Sequence, residues 1–305
     1  MAFDAKGSKQ ISVLNGRKLS LGSAKPVGSG YTADVYDLDD GNVVKVLKKG
    51  DASEAEREIL LSKWAFSKGI PTAISYDVVD VDGRPGLVYE SLGRGNLRNL
   101  FRDHPEQFDS AVAQYVDLLH TINSITDDEN KLPDAAALMR GCLPTLRPIL
   151  SDAEYEKMSS LLASIPDRRT IVHGDCQVKN VRVVKGELYL IDLDTLSHGD
   201  PIFELAQLYF CYRCFNDIRN EEIDSFFDIS TDILHRVLDA VLDGYMAGVS
   251  DTDKRENKAK IALLAYMHMM YFISTETPDD AYAAEVTMAR FKSLLSQVDD
   301  LRLVL

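Results

Sequence analysis

The sequence predicts an α+β chain of two lobes, a β-rich N-lobe over residues 1–92 and a mostly helical C-lobe over 93–305. Three observations carry this. Short β-branched runs bounded by Gly, Asn and Asp turns fill the chain as far as Leu92. Beyond it apolar residues recur at helical spacing, interrupted by one strand–loop–strand segment at 170–194. A chain of 305 residues, 45% of them hydrophobic, also exceeds what a single core usually supports.

The elements follow in order. In "QISVLNGRKLSL" two strands flank Asn15-Gly16, a pair suited to a two-residue hairpin turn. "KPVGSGYTADVYDL" and "VVKVLKK", joined by a turn at Asp39-Asp40-Gly41-Asn42, predict two more strands. "DASEAEREILLSKWAFSKG" predicts a helix capped by Asp51 or Ser53 and stopped by Gly69 with Pro71. Ile59, Leu60, Trp64 and Phe66 are its expected apolar face. A hairpin turning near Asp82-Gly83 and the Gly-rich "LGRGN" close the β-rich part. Residues 97–165 alternate helical patterns with turns, and the chain from Pro201 to Leu305 is almost wholly helical, with "IALLAYMHMMYFI" a strongly buried helix.

Lys plus Arg total 34 against 48 Asp plus Glu, a net charge of -14. That balance argues against nucleic acid or an anionic membrane as main partner, and is compatible with a cationic small molecule. No apolar run is long enough to predict a membrane span. The start "MAFDAKGSKQISV" lacks an apolar signal core, so a cytoplasmic location is expected. Cys142, Cys176, Cys211 and Cys214 show no framework spacing. Cys211 and Cys214 form a C-x-x-C inside an apolar helical pattern with no second ligand pair, so buried reduced thiols are expected rather than zinc.

Gly28-Ser29-Gly30 lies between strands, where glycine lets backbone N–H groups approach and cup a phosphate. A strand follows rather than a helix, and Lys45 stands where a dinucleotide fold has its acid. Alternation along "NVVKVLK" puts Val44 and Val46 on one face and Lys45 on the other, a fixed cation for a phosphate if a carboxylate orients it. Glu58, on the helical face of Leu61 and Ser62, is the best placed carboxylate, with Glu54 the alternative. In "HGDCQVKNVRVVKGELYLIDLD", Asp175 can take or orient a hydroxyl proton, while Asn180 and Asp192 offer oxygen ligands for Mg2+ against a triphosphate. Each alone reads as turn chemistry. In this order, with the Gly turn, the strand Lys and the helix Glu, they point to phosphoryl transfer.

Through "GSGYTADVY", "VVKV", "EREILLSKW", "GIP", "LVYE", "HGDCQVKN", "LIDLD" and "GDPIFELA", in order over about residues 25–210, the chain resembles the aminoglycoside phosphotransferase and choline kinase-like family. The resemblance implies a bilobal protein-kinase-like fold, a nucleotide-binding N-lobe, and a C-lobe with the catalytic loop, metal site and acceptor site. It implies ATP and Mg2+ as cofactors, Asp175 as catalytic base, and Asn180 and Asp192 as metal ligands. It implies that Lys45, paired with Glu58, contacts the phosphates, and that Tyr89, Glu90, Ser91 and Leu92 form a hinge reading adenine through its backbone. Asp200 would cap the helix that Pro201 opens, and His173 would shape the loop.

The sequence departs from the family after Asp175, where Cys176-Gln177-Val178-Lys179 replaces Leu-His-Pro-Gly. Lys179 is expected to face solvent, and Leu193-Asp194 follows the metal Asp in place of an aromatic. Only seven residues separate Asp192 from Asp200, and Gly174 stands where a protein kinase has Arg. A small-molecule hydroxyl is therefore the expected acceptor: an aminoglycoside, amino alcohol, sugar or nucleoside seated on the helical lobe. Asp217, Glu221, Glu222, Glu276, Asp279 and Asp280 read either as a solvated face, the commoner case, or as the lining of a site for an amine. Two other readings stand beside this one, a pseudokinase-like nucleotide-binding regulator and an atypical protein kinase.

Overall fold

The computed structural model describes residues 17–22, 24–30 and 32–305, with the side chains of 219–223 left out. The hairpin expected around Asn15-Gly16 lies outside the described residues. The chain divides into two compact units, Met1–Gly93 and Arg94–Leu305.

The first unit is a six-stranded sheet with one helix. Its strands are β1 (Lys18–Leu19), β2 (Gly28–Ser29), β3 (Ala33–Asp37), β4 (Asn42–Leu47), β5 (Ser75–Val81) and β6 (Arg84–Glu90), in the order β1-β5-β6-β4-β3-β2. All neighbours are antiparallel except β1, which runs parallel to β5. The β5–β6 hairpin turns on Asp82 and Gly83, both at positive φ, as a two-residue primed turn requires. The pleat sorts the side chains. Val44, Val46, Val79, Val81 and Val88 cluster on one face. Ala33, Leu47, Val78 and Leu87 face helix α1 (Ala52–Ser67), meeting its Ala55 and Ile59. Each Val, Leu or Ile among these taken fully out of water contributes roughly 1.5–3 kcal/mol.

Asp51, not Ser53, caps α1, accepting the Glu54 N–H at 3.0 Å. The expected apolar face of α1 is half right. Ile59 and Trp64 are buried, but Leu60 is 59% exposed and Phe66 50% exposed. Leu60 follows Ile59 directly, so turning Ile59 inward swings Leu60 a quarter-turn or more away from the sheet.

The second unit is helical around two short hairpin-like sheets. Its helices are α2 (Leu97–Asp103), α3 (Phe108–Ser124), α4 (Ala135–Cys142), α5 (Asp152–Ala163), α6 (Ile202–Tyr209), α7 (Asn216–Phe227), α8 (Thr231–Tyr245), α9 (Asp251–Glu276) and α10 (Ala281–Gln297). Strand β7 (Thr170–Val172) pairs antiparallel with β10 (Ser197–Gly199), and β8 (Val181–Val184) with β9 (Glu187–Leu190). Helix α3 packs its Tyr115, Leu119 and Ile122 stripe against α8 and β7. Helix α9 runs through the centre, nearly every side chain from Ile261 to Met270 buried, and packs on α6 and α10. Among the described residues no helix is long and apolar enough to cross a membrane.

Between α6 and α7 the helix widens into a π turn, Phe210–Cys214, where the Phe215 N–H reaches the Phe210 carbonyl at 3.4 Å. The C-x-x-C motif lies in this turn, and its thiols are free. Among the described residues no three His, Cys, Asp or Glu cluster as a metal-ligand set.

His268 of α9 stacks on Phe210, ring centroids 4.6 Å apart, and this burial pushes its pKa down to about 4. A depressed imidazole contributes stability that is present above its unfolded pKa of about 6.5 and is lost as pH falls toward 4. His268→Leu is expected to flatten the acid limb of thermal stability between those values by up to roughly 1.4 kcal/mol per pH unit, read from melting curves.

Candidate active site

In the first unit, strand alternation delivers Lys45 to the face that α1 covers. Lys45 sits on the central strand β4, paired in register with Val35 and Leu87, so it is not an edge lysine. Its Nζ meets Glu58 Oε1 at 2.9 Å, and both side chains are largely buried. The Tyr89 hydroxyl donates to the same Glu58 oxygen at 3.0 Å and lies 3.5 Å from Ser62 Oγ. Burial and the Glu58 charge push the Tyr89 phenol well above its ordinary pKa, so it remains a donor. The carboxylate is thus held between a cation and a phenol, and Glu54 is instead part of the α1 cap.

The Gly-Ser-Gly turn is tied down by charge. Lys48 Nζ bonds the Gly30 carbonyl at 2.7 Å and Ser29 Oγ at 3.2 Å, and Ser29 Oγ donates to Asp34 at 2.6 Å. Neither Gly28 nor Gly30 has positive φ, and a Cβ on either would make only ordinary contacts, so nothing inside the unit demands glycine there. The Gly30 N–H donates to the Ala33 carbonyl at 2.8 Å, which takes one of the amides expected to cup a phosphate. The Tyr89–Leu92 stretch is narrowed likewise. The Glu90 N–H goes to the Ile74 carbonyl at 2.8 Å and the Ser91 N–H to the Gly41 carbonyl at 2.9 Å.

In the second unit, β7 leads into a loop, residues 173–180, that returns into β8. The Asn180 amide donates to Asp175 Oδ2 at 2.6 Å and to the Asp175 carbonyl at 3.0 Å, closing the loop on itself. His173 is buried and neutral. Its Nδ1 accepts the Asp175 N–H at 3.2 Å, so the proton lies on Nε2, which donates to the Ile191 carbonyl at 3.1 Å. Burial pushes its pKa down to about 4. His173 thus joins Asp175 to the strand end that carries Asp192.

Three residues without an expected role hold this loop from below. The Glu204 carboxylate of α6 accepts the His173 N–H at 2.5 Å; burial pushes its pKa up to about 7, against the His173, Gly174 and Cys176 N–H groups that favour the ionised form. Tyr115 of α3 donates to the Cys176 carbonyl, and the Tyr212 hydroxyl accepts the Val178 N–H at 2.8 Å. Cys176 and Val178 have no exposed surface, so they anchor the loop where the family pattern uses Leu and Pro. Lys179 corrects the solvent-facing expectation. It folds back onto α7, 3.1 Å from the Phe226 carbonyl and 4.0 Å from the Phe226 ring. Asp200 accepts the Ile202 N–H at 3.0 Å, capping the helix after Pro201.

Burial and the negative charges of Asp192 and Asp194 push the Asp175 carboxyl up to about 7. Asp192 sits in the left-handed region at φ 58, uncommon for a residue other than glycine. A hard cation suits this donor set: an amide oxygen and a carboxylate, beside a second carboxylate whose charge is poorly compensated. Two protein oxygens are a typical complement for Mg2+, which takes its remaining ligands from water and phosphate.

Of the six acids expected to serve an amine, Asp217 and Asp280 are engaged elsewhere. Asp217 accepts from the Tyr266 hydroxyl at 2.5 Å and pairs with Arg290 at 3.4 Å. Asp280 caps α10 through the Ala283 N–H at 3.0 Å, while Glu276 and Asp279 lie exposed. The side chains of Glu221 and Glu222 are outside the described residues.

Solved structures share this build. The chain matches aminoglycoside phosphotransferase APH(2'')-Ib with ADP bound, at 16% identity and TM-score 0.57, over 93% of this chain and 95% of that one. It matches a choline/ethanolamine kinase family protein from Mesorhizobium loti at 14% identity and TM-score 0.56, over 90% and 88%. It matches the gentamicin complex of APH(2")-IIa at 16% identity and TM-score 0.54, over 92% and 93%. Among curated proteins none matches by sequence. The α+β architecture is that of the kinase-like phosphotransferases. The chain belongs to the phosphotransferase enzyme family, whose model matches residues 23–241.

Proposed function

We propose that this phosphotransferase moves the γ-phosphoryl group of ATP to a hydroxyl of a small molecule. The observation that carries the reading is the Asn180–Asp175 hydrogen bond of 2.6 Å beside Asp192. It fixes the orientation of the Asp175 carboxylate toward an acceptor hydroxyl. The acceptor oxygen attacks the γ-phosphorus, its proton passes to Asp175, the bond to the β-phosphate oxygen breaks, and ADP leaves. The Asn180 amide oxygen and the Asp192 carboxylate would hold Mg2+, which when bound compensates phosphate charge. Lys45, oriented by Glu58, meets the phosphates. Gly28, Ser29 and Gly30 offer a side-chain-free approach to them, and the Leu92 N–H is the hinge donor left for adenine. The short span from Asp192 to Asp200 lacks the length to seat a peptide, which favours a small acceptor.

The test is ATP consumption with Mg2+ across amino alcohols, sugars, nucleosides and aminoglycosides, alongside thermal shift with Mg2+ and ADP. Turnover with any one class supports the reading, and no shift with ADP and Mg2+ sinks it. Lys45→Ala is expected to raise KM for ATP about 10- to 100-fold, the loss of one or two charge-assisted contacts, measured at saturating acceptor.

A further inference from the structure

We propose that Tyr89 is a positioning residue for phosphate binding: its hydroxyl holds one oxygen of Glu58, sets how closely that carboxylate grips Lys45, and so governs how Lys45 meets the nucleotide. The inference rests on the phosphotransferase reading and deepens it. The family resemblance gives Tyr89 a backbone role at a hinge. The sheet gives its side chain another.

Two elements of the first unit converge on Glu58. Lys45 of β4 pairs in register with Leu87 of β6, and Tyr89 stands two positions further along β6. Such residues are diagonal neighbours on one face of a sheet, about 7–8 Å apart. Leu87 and Tyr89 both pack in the cluster that α1 covers, so that face is the one turned to the helix. On α1, Glu58 and Ser62 are four residues apart and share one side. The helix therefore lowers a carboxylate between the cation and the phenol.

Glu58 uses one oxygen for both. Its Oε1 accepts from Lys45 Nζ at 2.9 Å and from the Tyr89 hydroxyl at 3.0 Å, while its Oε2 takes no hydrogen bond among the described residues. The two donors differ in stiffness. A lysine ammonium ends a flexible four-carbon stem and follows the carboxylate as it turns. The phenol is carried on a ring packed against the core, so it fixes the carboxylate's roll. Ser62 Oγ, 3.5 Å from the phenol, is at the limit of a hydrogen bond and offers it no equal partner. Without the hydroxyl, Glu58 is free to turn Oε2 toward Lys45 as well. A closer ion pair then holds the cation back from phosphate.

The experiment measures the affinity of the full chain for ADP with Mg2+ by calorimetry, with the melting temperature in parallel. Tyr89→Phe removes the hydroxyl and keeps the ring in its packing. It is expected to weaken ADP binding about three- to tenfold, part of the worth of one hydrogen bond to a charged group. Adenosine, which has no phosphate, should bind the variant as it binds the wild type. Glu58→Gln should weaken ADP too. Adding Tyr89→Phe to it should change the affinity less than about twofold, because the ion pair that the phenol regulates is gone. Wild-type ADP affinity in Tyr89→Phe overturns the proposal, whatever the melting temperature does. An equal loss for adenosine overturns it by making Tyr89 a contact of the base. A full effect of Tyr89→Phe on top of Glu58→Gln overturns it by showing that the phenol does not act through Glu58. Each of these leaves the phosphotransferase reading intact, whereas a wild type that binds no ADP with Mg2+ removes both.

Discussion

Asp175→Asn is expected to slow phosphoryl transfer by about 10²–10⁴-fold, the range that a positioned general base supplies. The substituted amide keeps the size of the carboxylate and a hydrogen-bonding oxygen toward Asn180, so the 173–180 loop should hold its shape. What it loses, on the proposed mechanism, is the capacity to take the acceptor's proton and the negative charge that aligns the hydroxyl. ADP affinity, measured with Mg2+ by calorimetry, should change far less than kcat, because the phosphate contacts assigned to Lys45 and to the Gly28–Gly30 turn lie in the other unit. Burial and the Asp192 charge already hold the Asp175 carboxyl near neutrality, where it can both accept and return a proton. A variant that transfers phosphate at the wild-type rate would remove Asp175 from the chemistry.

The parts of the site that were legible in the sequence are those governed by local periodicity. Alternation along β4 sends Lys45 to the opposite face from Val44 and Val46, and the i, i+3, i+4 spacing of α1 puts Glu58 with Ser62. Both rules act within one element. They fail where an element has more apolar residues than one face can hold, as with Leu60 and Phe66 on α1. The 173–180 loop is legible as a motif but its support is not. Tyr115 reaches it from 61 positions earlier, Tyr212 from 34 later, and Glu204 lies 31 beyond His173. A tertiary contact leaves no spacing to read, so Glu204 passed as one residue of a matching stretch and Tyr212 as one of an apolar helix. Lys179 fails for the same reason, since the α7 terminus that receives it is 47 residues away.

That dependence on distant support makes the loop sensitive to a single methyl group. Gly174 has φ +79, and a Cβ there would lie 2.9 Å from the Thr195 carbonyl oxygen. Backbone cannot yield as a flexible side chain can. Thr195 is itself bonded to the loop, its hydroxyl donating to the His173 carbonyl at 2.7 Å. Gly174→Ala therefore combines left-handed strain, about 1–3 kcal/mol, with displacement of the contact that sets the loop's height. A melting temperature lower by roughly 4–10 °C is expected for a unit of this size. Because an error of about 1 Å in a reacting group can cost about 100-fold in rate, kcat should fall by more than the stability loss implies. Gly186 gives the control. It has φ +87 in the β8–β9 turn, with nothing within 4 Å of its added Cβ, so Gly186→Ala carries the strain without the clash. If the two variants lose equal stability and both keep the wild-type rate, the Thr195 contact does not position Asp175. If only Gly174→Ala loses rate, Thr195 sets where Asp175 stands.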